Sequence, residues 1–149
     1  MDREFFCSQK RHWFYLQPEI NIIRIFNAMK KLIRGFGYAF KGIWYATATQ
    51  LNFRVHLVAS LVAALLGYAL KVSDIEWIWI IFCMALVLAA ELFNTSIEVL
   101  TDLVSPEYNK KAGHVKDISA GAVLVTAIFA LVTGTIIFLP KILALIHAA

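Results

Sequence analysis

Three apolar stretches, each close to the length that crosses a bilayer, constrain this chain more than any other feature. They run from about residue 53 to 72, 75 to 104 and 118 to 139. The first is short, and its start is placed near Phe53 with Arg54 snorkelling to the interface. The second is continuously apolar from Ile75 to Ala90 apart from Glu76, then keeps a helical pattern while acquiring acids. The third is expected to stop at Pro140, because proline lacks the N–H that a continuing helix needs. Trp77 and Trp79 open the second stretch, where an aromatic belt belongs. Composition agrees: of 149 residues 60% are apolar and 16% charged, against about 45–50% and about 25% in a soluble domain. The expected fold is therefore an all-α membrane protein of one domain with three transmembrane helices. Too little polar sequence remains for a soluble catalytic domain, so any chemistry belongs in the membrane or at its surface.

Charge sets the orientation. Twelve of the fourteen Lys and Arg precede the first span, sit at its start as Arg54 does, or lie between the second and third; only Lys71 and Lys141 fall on the other side. The positive-inside rule then puts the N-terminus in the cytoplasm and the C-terminus outside, in a multi-pass membrane protein. The formal charge of +4 flanks apolar segments, which suits anionic lipid headgroups and argues against nucleic acid as a partner. Cys7 and Cys83 share no metal-ligand or redox spacing and are read as free thiols, Cys83 as a packing residue. The N-terminus lacks the features of a signal peptide.

Residues 22–44 form a different kind of segment. Ile22, Ile25, Phe26, Met29, Ile33, Phe36, Phe40 and Ile43 follow helical spacing, while Arg24, Asn27, Lys31, Arg34, Tyr38 and Lys41 mark another face. This pattern predicts an amphipathic helix lying in the cytoplasmic interface, with Gly35 and Gly37 as points where it can bend. Residues 1–28 are taken as an N-terminal extension, either without fixed order or the product of a misassigned start at Met1 rather than Met29.

Two clusters could carry chemistry. Glu91, Asn94, Thr95, Glu98 and Asp102 fall within an arc of roughly 100° on one face of the second helix. One carboxylate in hydrocarbon already costs several kcal/mol, so three on one stripe call for cations, partners or water. The competing explanation is helix–helix adhesion through Asn and Thr, which does not require three acids. The second cluster is the loop from Ser105 to Lys111 with Lys116 and Asp117, expected at the N-terminus of the third helix, where free N–H groups favour anions. Carboxylates on one helix and a lysine at the start of the next suggest metal-bound phosphate. A basic loop obeying the positive-inside rule is the plainer explanation of the loop alone. The scattered histidines, His12, His56, His114 and His147, suggest no metal pairing.

The run Glu91-Leu92-Phe93-Asn94-Thr95-Ser96-Ile97-Glu98, followed by Asp102, Ser105-Pro106-Glu107-Tyr108, Lys116-Asp117 and Ala120-Gly121-Ala122-Val123, resembles the small integral-membrane diacylglycerol kinases of bacteria and their undecaprenol kinase relatives. Gly37-Tyr38-Ala39-Phe40-Lys41-Gly42 and Asn52-Phe53-Arg54-Val55-His56 extend the resemblance, which covers about residues 30 to 140. It implies a homotrimer of three-span protomers, each with an amphipathic surface helix, that phosphorylates a lipid hydroxyl with MgATP at the cytoplasmic face. It further implies Glu91 as general base, Asn94 as an orienting residue and Glu98 as a ligand of Mg²⁺. Lys31, Tyr38, Glu107, Tyr108, Asn109, Lys116 and Asp117, with Gln50 and Glu98, would contact ATP. Asn52, Phe53, Arg54, Glu91 and Ala120 would meet the lipid. The family's usual glutamate four residues before the Arg54 position is Gln50 here, which removes one negative charge from the metal site. Ser105-Pro106-Glu107-Tyr108 and Ala120-Gly121-Ala122-Val123 look more like the undecaprenol branch. Two other readings stay open: a non-enzymatic proton or cation track through Glu91, Glu98 and Asp102, and a kinase-like membrane protein weakened by Gln50.

Overall fold

A computed structural model describes the backbone of residues 3–107 and 109–148 and the side chains of residues 24–107 and 109–147. Four helices follow in order: α1 (Arg3–Thr49), α2 (Leu51–Ala69), α3 (Asp74–Val104) and α4 (Lys110–Ala148). No strand occurs among the described residues. The last three are long and apolar enough to cross a membrane. At about 1.5 Å per residue the 19 residues of α2 span a hydrocarbon core of roughly 30 Å only just.

The chain divides into two compact units, residues 1–42 and 43–149. In the first, α1 is helical from Arg3, so most of the extension has regular backbone. No glycine occurs before Gly35 to interrupt it. From Arg24 to Gly42 its side chains are exposed on every face. The apolar set includes Ile25, Phe26, Met29, Ile33, Phe36 and Phe40. Lys30 Nζ lies 4.6 Å from the Phe26 ring centre, an arrangement in which the alkyl stem covers the ring while the charge stays wet.

In the second unit, α3 packs along α4 and more briefly against α2. The α2–α3 turn is tight for local reasons. Lys71 has φ of 50°, and its N–H reaches Tyr68 O while Val72 N–H reaches Gly67 O. Those two bonds close α2 in a Schellman motif. The helix therefore ends at Ala69 rather than near residue 72, and Val72 turns inward to pack with Ile80 and Ile137. Gly67 permits the close approach: a β-carbon there would lie 2.9 Å from the Trp77 ring. Helix α3 opens with a capping box, in which Ser73 and Glu76 satisfy each other's backbone N–H groups.

Helix α4 departs from expectation at both ends. It begins at Lys110 instead of residue 118, and it continues through Pro140 to Ala148. At the start, Asn109 accepts from Lys111 N–H at 2.9 Å and acts as the cap, and Gly113 alone does not break a run of helix formers. At the other end, Pro140 frees only the carbonyl four residues back. A membrane-spanning helix tolerates that when its neighbours hold it in place. Here Ile137 packs before the proline, and Lys141, just after it, pairs with Glu76 of α3 at 3.1 Å.

Candidate active site

The second half of α3 concentrates the polar groups. Glu91, Asn94 and Thr95 are buried, Glu98 is half-buried and Asp102 is exposed, so the stripe runs from the interior to an open end. Thr95 donates to the Glu91 backbone carbonyl at 2.9 Å and so uses its hydroxyl locally. Asn94 faces two partners. Its Nδ2 donates to Glu98 Oε1 at 2.9 Å, and its Oδ1 accepts from Ser119 Oγ of α4 at 2.6 Å. The amide has no choice of direction: a carboxylate can only accept, so the NH₂ must turn to Glu98 and the oxygen to the hydroxyl. The Ser119 hydroxyl also lies 2.8 Å from the Lys116 carbonyl; with a single proton it serves one acceptor at a time or shares between them. A chain from α4 through Asn94 thus holds the Glu98 carboxylate.

Glu91 is treated differently. It is 2% exposed, yet its Oε1 has no hydrogen-bond partner among the described residues. His56 of α2 brings Nε2 to 3.3 Å from that oxygen, close enough for an ion pair but not aligned as a hydrogen bond. His56 also lines a cavity of about 530 Å³ between α2, α3 and α4, otherwise walled mainly by small and apolar residues such as Ala59, Cys83, Val87 and Gly134. A buried carboxylate oxygen without a donor is costly to a fold, and nothing in the packing requires an acid at this position.

The open end of the stripe holds a second pairing, Lys116 Nζ with Asp102 Oδ1, both partly solvent-exposed. Because α4 starts at Lys110, Lys116 and Asp117 sit beyond the first four residues whose N–H groups are free. The expected anion site of free helix N–H groups at these two residues is therefore corrected; Lys116 acts here through its ammonium. Asp117, Glu107 and Asn109 are exposed, the last already engaged as the α4 cap. Tyr108 lies outside the described residues. Lys31 and Tyr38 are exposed on α1 in the first unit.

Gln50 occupies the break between α1 and α2 as N-cap of α2, with extended backbone and a side chain that makes no capping bond. Its amide is not used by the helix it precedes. Asn52 and Arg54 are exposed, as is Ala120, whereas Phe53 is 2% exposed and serves the packing of α2 rather than an open surface. Two neighbours of the site were not legible beforehand. His56 is one of four scattered histidines, and Ser119 belongs to none of the motifs. Only the packing of α2 and α4 against α3 joins them to Glu91 and Asn94.

Among the described residues no three His, Cys, Asp or Glu side chains gather into a metal cage. A carboxylate such as Glu98 and an amide oxygen such as that of Gln50 are of the chemistry Mg²⁺ takes, since that ion is commonly held by one or two carboxylates while substrate phosphates and water complete its shell.

Comparison with known proteins follows the same residues. The family model described as prokaryotic diacylglycerol kinase matches residues 37–138. An undecaprenol kinase of Bacillus subtilis is 34% identical over 116 residues, covering 78% of this chain and 94% of its own. A diacylglycerol kinase of Synechocystis is 37% identical over 115 residues, 76% of this chain and 66% of its own. The diacylglycerol kinase of Escherichia coli strain K12 is 33% identical over 107 residues, 72% of this chain and 88% of its own.

Proposed function

The chain belongs to the prokaryotic diacylglycerol kinase family and is a membrane lipid kinase, and from that premise we propose that it transfers the γ-phosphoryl group of MgATP to the hydroxyl of a membrane lipid alcohol at the cytoplasmic face. The observation that carries the reading is Glu91, a buried carboxylate within a membrane-spanning helix whose Oε1 has no hydrogen-bond partner among the described residues. An acid spent on helix adhesion would be hydrogen-bonded, whereas a general base keeps its carboxylate available for the substrate proton.

In this mechanism Glu91 takes the hydroxyl proton as the lipid oxygen bonds to the γ-phosphorus, the bond to the ADP oxygen breaks, and ADP leaves. Asn94, fixed by Ser119, holds Glu98 in one orientation. Glu98 and Gln50 would hold Mg²⁺, which when bound neutralises charge on the phosphates. Lys116 supplies positive charge near the open end. Glu107, Tyr108, Asn109 and Asp117 are further nucleotide contacts, and so are Lys31 and Tyr38 of α1. Asn52, Arg54 and Ala120 meet the lipid. Phosphoryl transfer asks mainly for positioning and charge neutralisation, so a frame this small is chemically sufficient.

The protein works as a homotrimer in the bacterial inner membrane, with its N-terminus inside; the distribution of Lys and Arg supports that orientation. Residues 29–149 hold the catalytic machinery. Undecaprenol is the preferred acceptor over diacylglycerol. The test is purified protein in detergent with Mg²⁺, labelled ATP and a panel of lipid alcohols. Label is expected on undecaprenol above diacylglycerol. A reversed order overturns the acceptor assignment, and no Mg²⁺-dependent transfer to any lipid alcohol overturns the reading.

A further inference from the structure

The mechanism leaves one group beside the base without a role. His56 stands on α2, in the first turns after the α1–α2 break, with Nε2 3.3 Å from Glu91 Oε1. The polar neighbours of Glu91 on its own helix face are committed elsewhere. Thr95 donates to a backbone carbonyl, and Asn94 bridges Glu98 and Ser119. The rest of the cavity wall at His56 is mainly small and apolar. Glu91 Oε1 therefore has one candidate donor among the described residues, and it comes from another helix.

A carboxylate base has two oxygens and a rotatable side chain. Unless one oxygen is held, the other samples many directions, and little of its time is spent in line with the substrate hydroxyl. Nucleophile–base systems commonly solve this with a third group that orients the base. A small rotation of the imidazole would turn the present approach into a hydrogen bond, and such bonds are often long or poorly aligned before substrate binds. The tautomer with hydrogen on Nε2 is the one that donates.

Resting on the assignment of Glu91 as base, we propose that His56 is a positioning residue for phosphoryl transfer: its Nε2–H donates to Glu91 Oε1 and aims Oε2 at the lipid hydroxyl. The proton of that hydroxyl goes to Glu91, not to the imidazole, so His56 gives up no proton in the step.

The experiment compares His56→Gln, His56→Phe and Glu91→Gln in purified full-length protein, reading kcat and lipid KM separately, with thermal unfolding as the control for folding. Glutamine keeps an N–H donor; phenylalanine fills the site without one. The expected result is a kcat for His56→Phe lower by about 10- to 100-fold with lipid KM within about twofold, and recovery of most of that loss in His56→Gln. Should the phenylalanine ring prevent folding, His56→Leu makes the same donor-free comparison. Equal kcat values for the glutamine and donor-free variants, or a loss confined to KM, would overturn the positioning role while leaving Glu91 as base. Near-normal turnover in Glu91→Gln would instead remove the base assignment and the proposal with it.

Discussion

The two halves of α3 are built on opposite terms. From Asp74 to Ala90 the side chains answer needs of the fold. Ser73 and Glu76 cap the helix start, Trp77 lies against Gly67, Ile80 packs with Val72 and Ile137, and Glu76 holds Lys141. From Glu91 to Asp102 the same helix carries a buried acid with an oxygen unpartnered among the described residues, an amide held between Glu98 and Ser119, and an ion pair open to solvent. Folding alone would favour apolar residues at those positions. A helix that meets its structural requirements in one half and leaves them unmet in the other places its function in the second.

That contrast can be broken or sharpened by substitution. The largest effect is expected from Glu98→Gln, which removes the carboxylate offered to Mg²⁺. Turnover should fall by about 10³-fold at fixed MgATP, or the Mg²⁺ needed for half-maximal turnover should rise sharply, since metal-borne charge stabilisation supplies several kcal/mol. Gln50→Glu in the same Mg²⁺ titration should lower the midpoint. An unmoved midpoint removes residue 50 from the metal site.

The structural half should respond in the opposite sense. Ile80→Ala opens a cavity beside Val72 and Ile137. In a membrane the surrounding lipid is as apolar as the core, so the loss is mainly packing. About 1–3 kcal/mol of unfolding free energy is expected, toward the low end of buried isoleucine truncations. Turnover per folded molecule should stay within about twofold, because the change lies well along the helix from the reacting groups. A large loss of kcat at unchanged stability would show that the two halves are coupled.

The smallest effect concerns Lys71, a non-glycine residue at φ of 50°. Lys71→Gly should raise stability by about 0.5–1 kcal/mol, because glycine occupies the left-handed position of a Schellman motif without steric cost. Thermal unfolding in detergent measures it, and a loss of stability would show that the lysine side chain does something the backbone geometry conceals.

The same division explains what could be read from one sequence. Span positions follow from apolar length, and the polar stripe follows from helical spacing, so Glu91, Asn94, Glu98 and Asp102 were legible. Helix ends were less so. The Schellman closure after Ala69 depends on a lysine taking a glycine conformation. Pro140 reads as a stop until packing around Ile137 and the Lys141–Glu76 pair are seen to hold the helix through it. The start of α4 at Lys110 depends on Asn109 capping it, a role its place in a polar loop does not announce. His56, Ser119 and Phe53 were beyond reach for another reason. Whether a residue on α2 or α4 meets α3 or faces outward depends on rotation and tilt, which one sequence does not record.

The central claim is that Glu91 serves the reaction and not the fold. Glu91→Gln tests it most directly, with kinase turnover and thermal unfolding measured on the same purified preparation. Because glutamine keeps an amide oxygen that can accept from His56, and a neutral amide is easier to bury than a carboxylate, the unfolding midpoint should be unchanged or higher. Turnover should drop by about 10²–10⁴-fold, the usual cost of losing a general base. Turnover near the wild-type rate, or a loss of turnover matched by a loss of folding, would contradict the account.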